Sequence, residues 1–199
     1  MMNERKVITV DYDDVIQPST EHFVRIYNKL HGTNVELEFA QTSGYEGWET
    51  GYDTIGERIY AIQSGEEFAE IEPYPDAIET IGLLAEKHDL HIVTARPEQL
   101  MAVTAFKLDK YFPGIFKSVV YTGHGGSKGK IAKSLGAEIH IDDALKHLKD
   151  TASHEVKHSI LFGNYPWHTH GPDAVQLYRC ANWYDVHREV ALISESKAN

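Results

Sequence analysis

Short apolar runs alternate with helical patterns along most of this chain, and this alternation limits the folds that it can adopt. Each run has the length of a buried strand, and apolar residues between the runs recur with the spacing of an amphipathic helix. Such an alternation predicts an α/β domain whose sheet is largely parallel and flanked by helices. The predicted strands are Val7–Val10, Leu90–Ala95, Ser118–Thr122, Glu138–Ile141 and Ser159–Gly163.

The alternation is interrupted after the first predicted strand. Residues 18–73 contain two helical patterns separated by a stretch rich in glycine and aromatic residues, TSGYEGWETGYDT (42–54). We predict that this segment forms a small, mainly helical cap, and that residues 1–17 and 74–199 form the α/β core. A cap inserted there would lie over the carboxyl ends of the strands, the edge at which open α/β sheets bind ligands.

The composition argues against several classes of protein. The formal net charge of −11 disfavours binding to a nucleic acid polymer, because such binding needs a basic face. No stretch approaches the roughly 18 consecutive apolar residues of a membrane span, so we expect no membrane partner. Cys180 is the only cysteine, which excludes a disulfide framework within the chain. We therefore expect a cytoplasmic protein.

Three carboxylates follow the first predicted strand directly, in VITVDYDDVI (7–16). Asp11 falls at the end of the strand, and Asp13, two residues later, can point to the same side. Carboxylates this close repel one another and resist burial unless a cation shares them. Mg²⁺ suits such a small set of hard oxygen ligands. The alternative is a pair of solvated turn aspartates, and DYDD alone does not decide between the two.

Three further stretches place reactive or charged residues at the ends of predicted elements. Thr94 ends a strand, where its hydroxyl and the following backbone N–H groups, beginning with that of Ala95, could hold a phosphate oxygen. Lys128 begins a helical pattern and could neutralise a phosphoryl group. Asp142 and Asp143 follow another apolar run and form a second acidic pair, which could provide a further metal contact.

In this order, the four stretches resemble the four motifs of the haloacid dehalogenase-like (HAD) hydrolase superfamily. The resemblance extends from Val7 to about Asp143 and implies a Rossmann-like core with a small cap after the first strand. It also implies that Asp11 is a nucleophile that forms an aspartyl-phosphate, and that Asp13 is the general acid/base. Thr94 would bind a phosphoryl oxygen, and Lys128 would balance charge on the nucleophile and the phosphate.

The same resemblance implies a Mg²⁺ ion held by the Asp11 carboxylate, the Asp13 backbone carbonyl and one acid of the last motif. We favour Asp142 for direct ligation, with Asp143 second, although the sequence does not separate them. Asp14 stands where many members of the superfamily have glycine, and we interpret it as a bystander in catalysis.

Two downstream stretches, ILFGNYPWHTHG (160–171) and RCANWYDVHREV (179–190), resemble the tail of the 5'(3')-deoxyribonucleotidase-like group. This resemblance implies a Mg²⁺-dependent phosphomonoester hydrolase whose partner is a small phosphorylated metabolite, a nucleoside monophosphate above all. A homodimer is left open. Two alternatives also remain: a phosphatase of another small metabolite such as a sugar phosphate, and a catalytically idle nucleotide-binding regulator.

Trp48 and Arg96 are candidate substrate-binding residues whose roles the sequence leaves open. Trp48, in the predicted cap with Tyr45 and Tyr52, could stack on a nucleobase or pack within the cap. Arg96 lies two residues after Thr94, and it could contact the substrate or pair with a carboxylate.

Overall fold

The structure, a computed structural model, describes residues 5–42, 48, 51–123, 125–169 and 177–195. The strands in this part of the chain are β1 (Val7–Val10), β2 (Asp89–Thr94), β3 (Phe116–Tyr121), β4 (Ile139–Asp142), β5 (His158–Phe162) and β6 (Leu177–Cys180). They form one six-stranded sheet in the order β3-β2-β1-β4-β5-β6, and every neighbouring pair is parallel.

Helices connect most of these strands. They are α1 (Ser19–His31), α2 (Leu37–Thr42), α3 (Tyr52–Gln63), α4 (Glu66–Ala69), α5 (Pro75–Lys87), α6 (Met101–Tyr111), α7 (Lys128–Ser134), α8 (Leu145–Ser153) and α9 (Trp183–Glu195). Among the described residues, no helix combines the length and the apolar character that a membrane span requires. The prediction of a parallel α/β sheet flanked by helices is confirmed.

One of these six strands was not predicted from the sequence. β6 contains only Leu177, Tyr178, Arg179 and Cys180, and it pairs with β5 at one edge of the sheet. An edge strand has a neighbour on one side alone, so it does not need the continuous apolar run that marks a central strand. The helix α9 begins shortly afterwards, at Trp183.

The position of β1 determines where the acidic motifs meet. β1 pairs with β2 on one side and with β4 on the other, so the strand order reverses direction at β1. Such a switch point leaves a crevice at the carboxyl ends of the strands. Asp11 lies directly at this edge, where its backbone N–H donates to the Ile141 carbonyl oxygen over 2.9 Å.

Buried apolar residues form two large clusters. The first surrounds the sheet and includes Ile8, Val10 and Ile141, whereas the second is formed by residues 23–71 and includes Phe23 and Trp48. The helices α1 to α4 lie within residues 18–73. The division into a core (1–17 and 74–199) and a cap (18–73) stays a prediction, since two clusters do not by themselves define two domains.

Candidate active site

Lys128 joins the first acidic motif to the last one. Its Nζ atom lies 2.7 Å from Oδ2 of Asp11 and 2.7 Å from Oδ2 of Asp142, and all three side chains are buried. Asp142 accepts two further hydrogen bonds, from Nε2 of His140 at 3.1 Å and from the backbone N–H of Ala144 at 2.9 Å. Both carboxylate oxygens of Asp142 are therefore engaged within the protein.

The chain around Lys128 explains how this side chain is held. Ser127 caps α7 by accepting a hydrogen bond from the backbone N–H of Lys130, and its hydroxyl contacts the Asp150 carboxylate at 2.9 Å. The backbone N–H of Gly129 also donates to Asp150, over 2.8 Å. A Cβ atom at Gly129 would lie 2.5 Å from the Asp150 carbonyl oxygen, so only glycine permits this approach.

Asp11 has one fixed oxygen and one without a partner. Its Oδ2 atom pairs with Lys128, whereas Oδ1 is buried and has no hydrogen-bond partner among the described residues. An unsatisfied buried polar atom costs about 1–3 kcal/mol, so a ligand that supplied a partner for Oδ1 would stabilise it. Carboxylate oxygens of Asp11, Asp142 and Asp143 all lie within 4.8 Å of one another. Such a group of hard oxygen donors fits Mg²⁺.

The pKa shifts show which carboxylates of this group are least stable in the ionised form. Burial raises the pKa of Asp11 to about 7, and neighbouring carboxylates add to the effect while Lys128 opposes it. Burial and nearby carboxylates also raise the pKa of Asp143 well above its usual range. For Asp142, burial alone would raise the pKa, but Lys128, His140 and His147 together lower it below its usual value. A bound cation would therefore stabilise the ionised forms of Asp11 and Asp143 more than that of Asp142.

The loop after β5 donates two hydrogen bonds to Asp143. The indole Nε1 of Trp167 donates to Oδ2 of Asp143 over 2.9 Å, and Nε2 of His168 donates to the Asp143 carbonyl oxygen over 2.8 Å. Trp167 stacks on Tyr165 with ring centroids 4.4 Å apart, and the Tyr165 hydroxyl donates to the Asp14 carbonyl oxygen over 2.6 Å. In the sequence, this loop is recognisable only by its family resemblance, and these contacts could not be predicted from it.

Asp14 has a structural role in the loop after β1, and its interpretation as a bystander in catalysis stays a prediction. Its φ of 58° lies in the left-handed region that favours glycine, which agrees with the glycine found in many HAD hydrolases at this position. Its buried carboxylate accepts hydrogen bonds from the backbone N–H of Thr20, at 2.8 Å, and from the Thr20 hydroxyl. Asp14 therefore ties the loop after β1 to the first turn of α1.

Asp13 forms an ion pair with Arg96. Nε of Arg96 lies 2.8 Å from Oδ2 of Asp13, and Nη2 lies 2.7 Å from Oδ1, so the pair is bidentate. Burial alone would raise the pKa of Asp13, but Arg96 and a hydrogen bond from Ser19 lower it below its usual value. Of the two roles that the sequence left open for Arg96, the structure contains the contact with a carboxylate.

A cavity of about 250 Å³ opens at this edge of the sheet. The predicted site residues that line it are Asp11, Asp13, Thr94, Ala95, Arg96, Asp143 and Trp48. Lys128 and Asp142 do not line it, because both are fully buried. Oγ1 of Thr94 accepts a hydrogen bond from the backbone N–H of Arg96 over 3.2 Å, and this leaves the hydroxyl hydrogen available for donation.

Trp48 belongs both to the second hydrophobic cluster and to the cavity wall. Its ring packs edge-on against Phe23 and Tyr27, with centroids 5.3 Å and 5.0 Å apart. Packing within the predicted cap is thus present, and stacking on a nucleobase stays a prediction. Tyr45 and the side chain of Tyr52, the other two aromatic candidates, lie outside the described part of the chain.

A comparison with protein families shows which family the chain belongs to. The model of the family "5' nucleotidase, deoxy (Pyrimidine), cytosolic type C protein" matches residues 5–197. The chain belongs to this cytosolic type C nucleotidase family. A search of curated protein sequences finds no significant match.

Solved structures similar to this nucleotidase family member are HAD hydrolases. A HAD-like family hydrolase from Streptococcus pneumoniae has a TM-score of 0.68 at 12% identity, covering 94% of this chain and 98% of its own. A magnesium-bound HAD-hydrolase from Bacillus subtilis gives 0.63 at 13% identity, covering 94% and 99%. A predicted phosphoglycolate phosphatase from Haemophilus somnus gives 0.63 at 15% identity, covering 96% and 100%. At these identities the structures establish the fold.

Family and fold together confirm the HAD superfamily resemblance and identify a phosphoric monoester hydrolase. A nucleotidase family implies a small phosphorylated substrate. The cytoplasmic location and the homodimer stay predictions.

Proposed function

We propose that this nucleotidase family member is a Mg²⁺-dependent phosphatase that hydrolyses a nucleoside 5'-monophosphate or deoxynucleotide through an aspartyl-phosphate. The observation that carries the proposal is the Oδ1 atom of Asp11 at the cavity, which is buried and has no hydrogen-bond partner in the described part of the chain. Because Lys128 fixes the other oxygen at 2.7 Å, Oδ1 is both oriented and available. An oriented carboxylate oxygen without a competing hydrogen bond suits a nucleophile.

In the first half of the reaction, a carboxylate oxygen of Asp11 attacks phosphorus. The new Asp11–phosphorus bond forms as the ester P–O bond breaks, and Asp13 transfers its proton to the leaving alkoxide. Arg96 lowers the pKa of Asp13 in the free protein, but the negative charge of the bound phosphoryl group raises that pKa, so that Asp13 carries a proton when the substrate is in place. Thr94 donates its hydroxyl hydrogen to a phosphoryl oxygen. Lys128, buried behind Asp11, offsets the negative charge that gathers around the nucleophile.

In the second half, Asp13 accepts a proton from water as the water oxygen attacks phosphorus. The Asp11–phosphorus bond breaks, inorganic phosphate leaves, and Asp13 again carries the proton that the next cycle needs. One carboxylate can serve both halves because the proton that it receives from water replaces the one that it gave to the alkoxide.

Asp11, the backbone carbonyl of Asp13 and Asp143 are the residues that we propose as Mg²⁺ ligands. We now favour Asp143 over Asp142, since Lys128, His140 and the loop after β4 occupy both oxygens of Asp142. Asp143 lines the cavity, and its Oδ2 receives one hydrogen bond from the Trp167 indole. When bound, Mg²⁺ neutralises phosphate charge and polarises a phosphoryl oxygen.

Residues 18–73 supply the large apolar side chains of the cavity wall, and we propose that this cap segment selects the substrate. Phe23, Trp48 and Phe68 line the wall together with the partly buried amide of Gln63. Aromatic side chains offer flat faces for a base, and an amide can both donate to and accept from its edge. A nucleoside fits this lining better than a sugar, which has no flat ring.

The decisive experiment is a phosphatase screen with Mg²⁺ over nucleoside monophosphates, deoxynucleotides and sugar phosphates. We expect nucleotides to have the highest kcat/KM. A preference for sugar phosphates would instead support the metabolite phosphatase. Nucleotide binding without any turnover would support the idle regulator and contradict the proposal.

A further inference from the structure

We infer that Arg96 is a positioning residue for Asp13 and that it does not bind the phosphoryl group. Asp13 is the acid/base only under the proposed function, on which the role of Arg96 therefore depends. The positioning role goes further, because it assigns the buried guanidinium to proton transfer rather than to recognition of phosphate.

The donors of Arg96 are largely occupied within the protein. Its Nε and Nη2 atoms both donate to Asp13, and Nη1 donates to Oγ1 of Thr104 over 2.9 Å. The Thr104 hydroxyl in turn donates to the Leu100 carbonyl oxygen over 2.9 Å. Arginine recognises a phosphate or carboxylate best with two parallel N–H groups. Asp13 already accepts from the Nε and Nη2 pair of Arg96.

The surroundings of Arg96 fix its plane as well as its hydrogen bonds. The guanidinium carbon lies 4.2 Å from the centroid of the Tyr12 ring and 5.8 Å from that of Phe68. The Arg96 side chain is only 2% exposed, whereas the Asp13 side chain is 26% exposed. Asp13, rather than Arg96, thus presents the more accessible charged group to the cavity.

A second chain of hydrogen bonds reaches Asp13 through Ser19. Ser19 hydrogen-bonds to the Asp13 side chain, and its Oγ atom accepts from Nε2 of Gln17 over 2.9 Å. Oε1 of Gln17 accepts from Nζ of Lys107 at 2.7 Å and from the Tyr12 hydroxyl at 3.2 Å. The carboxylate is therefore oriented by Arg96 and by Ser19, each of which has its own buried partners.

This arrangement has a chemical consequence that depends on the leaving group. An acid/base must hold one oxygen within hydrogen-bond distance of the leaving oxygen. Without Arg96, Asp13 can rotate, and proton transfer to an alkoxide slows. An aryl oxide departs without a proton, so its release does not require an oriented Asp13. A residue that held the phosphoryl group would affect both kinds of substrate alike.

The test compares Arg96→Met with wild type on a nucleoside monophosphate and on p-nitrophenyl phosphate. We measure kcat/KM, which reports the steps up to phosphoryl transfer and leaves out the later hydrolysis of the aspartyl-phosphate. We expect kcat/KM to fall about 100-fold for the nucleotide but less than about threefold for the aryl phosphate. Inhibition by inorganic phosphate is expected to stay unchanged.

Arg188→Met is the matched control, because Arg188 is an exposed arginine whose Nη2 lies 2.8 Å from Oδ1 of Asp185. Arg188→Met should leave kcat/KM unchanged for both substrates. Equal losses on both substrates in Arg96→Met, or weaker inhibition by phosphate, would overturn the positioning role. If Arg96→Met does not fold, Thr104→Val provides the test: a smaller loss with the same bias supports the role, and a loss without bias contradicts it.

Asp13→Asn separates the two levels of inference. If this variant hydrolyses the nucleotide as well as wild type, the proposed function of Asp13 itself fails. If Asp13→Asn shows the leaving-group bias and Arg96→Met does not, the acid/base stands and only the positioning role of Arg96 is lost.

Discussion

Trp167 donates a hydrogen bond from its indole Nε1 to Oδ2 of Asp143 over 2.9 Å. Asp143 directly follows β4, whereas Trp167 comes from the loop after the neighbouring strand β5. Trp167 does not line the cavity, although Asp143 does. The orientation of an acid at the site is therefore set by a side chain outside the cavity wall.

We predict that Trp167→Phe weakens Mg²⁺ binding about tenfold, as loss of an outer hydrogen bond to a metal ligand commonly does. Phenylalanine keeps an aromatic ring to stack on Tyr165 but cannot donate to Asp143. Isothermal titration of the folded protein with Mg²⁺ measures the effect. Tyr184→Phe, which removes an exposed hydrogen bond to Glu79, is the control. Unchanged affinity in Trp167→Phe would show that Asp143 does not depend on the indole.

Asp11→Asn is expected to reduce phosphatase activity to background, because an amide neither attacks phosphorus nor binds Mg²⁺ well. The variant should remain folded, since Lys128 keeps its buried ion pair with Asp142. Activity and the circular dichroism spectrum are measured on the same sample. Asp185→Asn, at an aspartate outside the site on α9, serves as the control. Near-normal turnover by Asp11→Asn would exclude the covalent mechanism.

Removal of divalent cations should abolish activity, and added Mg²⁺ should restore it. The two acids of the last motif should then respond differently. Asp143→Asn is expected to raise the Mg²⁺ concentration needed for half-maximal activity. Asp142→Asn should instead lower the free energy of unfolding by about 3 kcal/mol, since it breaks part of a buried ion pair with Lys128. Full activity in the presence of chelator would refute the metal site.

With chelator present, the stability of the protein should decrease as the pH rises through the range in which Asp11 ionises. Burial raises the pKa of Asp11 from 3.8 to about 7. A group with a raised folded-state pKa stabilises the fold below its unfolded-state pKa, and this contribution is lost as the pH rises through the folded-state value. Asp11→Asn lacks the contribution, so its free energy of unfolding should fall less between pH 3.8 and about 7.

Urea denaturation of both proteins at several pH values measures this difference. The other carboxylates of the site are present in both proteins, so the comparison reports the ionisation of Asp11 together with its repulsion of these neighbours. A free energy difference between wild type and Asp11→Asn that does not change with pH would contradict the raised pKa.

Trp48→Ala tests the role of the cap in substrate choice. We expect KM for nucleoside monophosphates to rise about tenfold, since stacking contributes about 1–3 kcal/mol per base. The KM for p-nitrophenyl phosphate, whose ring is smaller, should change less. Trp48→Phe retains a ring and limits the cavity that alanine would leave in the second hydrophobic cluster. Unchanged affinity and preference in both variants would remove stacking from the proposal.

Much of the candidate site was accessible from the sequence because the positions follow local patterns. Asp11, Thr94 and Asp142 each stand at the end of an apolar run, and such runs become strands of a parallel sheet. A parallel sheet gathers the carboxyl ends of its strands at one edge, so residues far apart in the chain meet there. Lys128 could be added because it begins a helix beside the same edge.

Local patterns in the chain thus account for the α/β fold class and for the residue types that converge at the sheet edge. The pairing of their side chains arises only when the elements pack together: Arg96 with Asp13, Trp167 with Asp143, and Lys128 with both Asp11 and Asp142. Strand and helix periodicity indicates on which face of its own element a residue lies. The choice of partner depends instead on the distances and burial that arise when separate elements pack together.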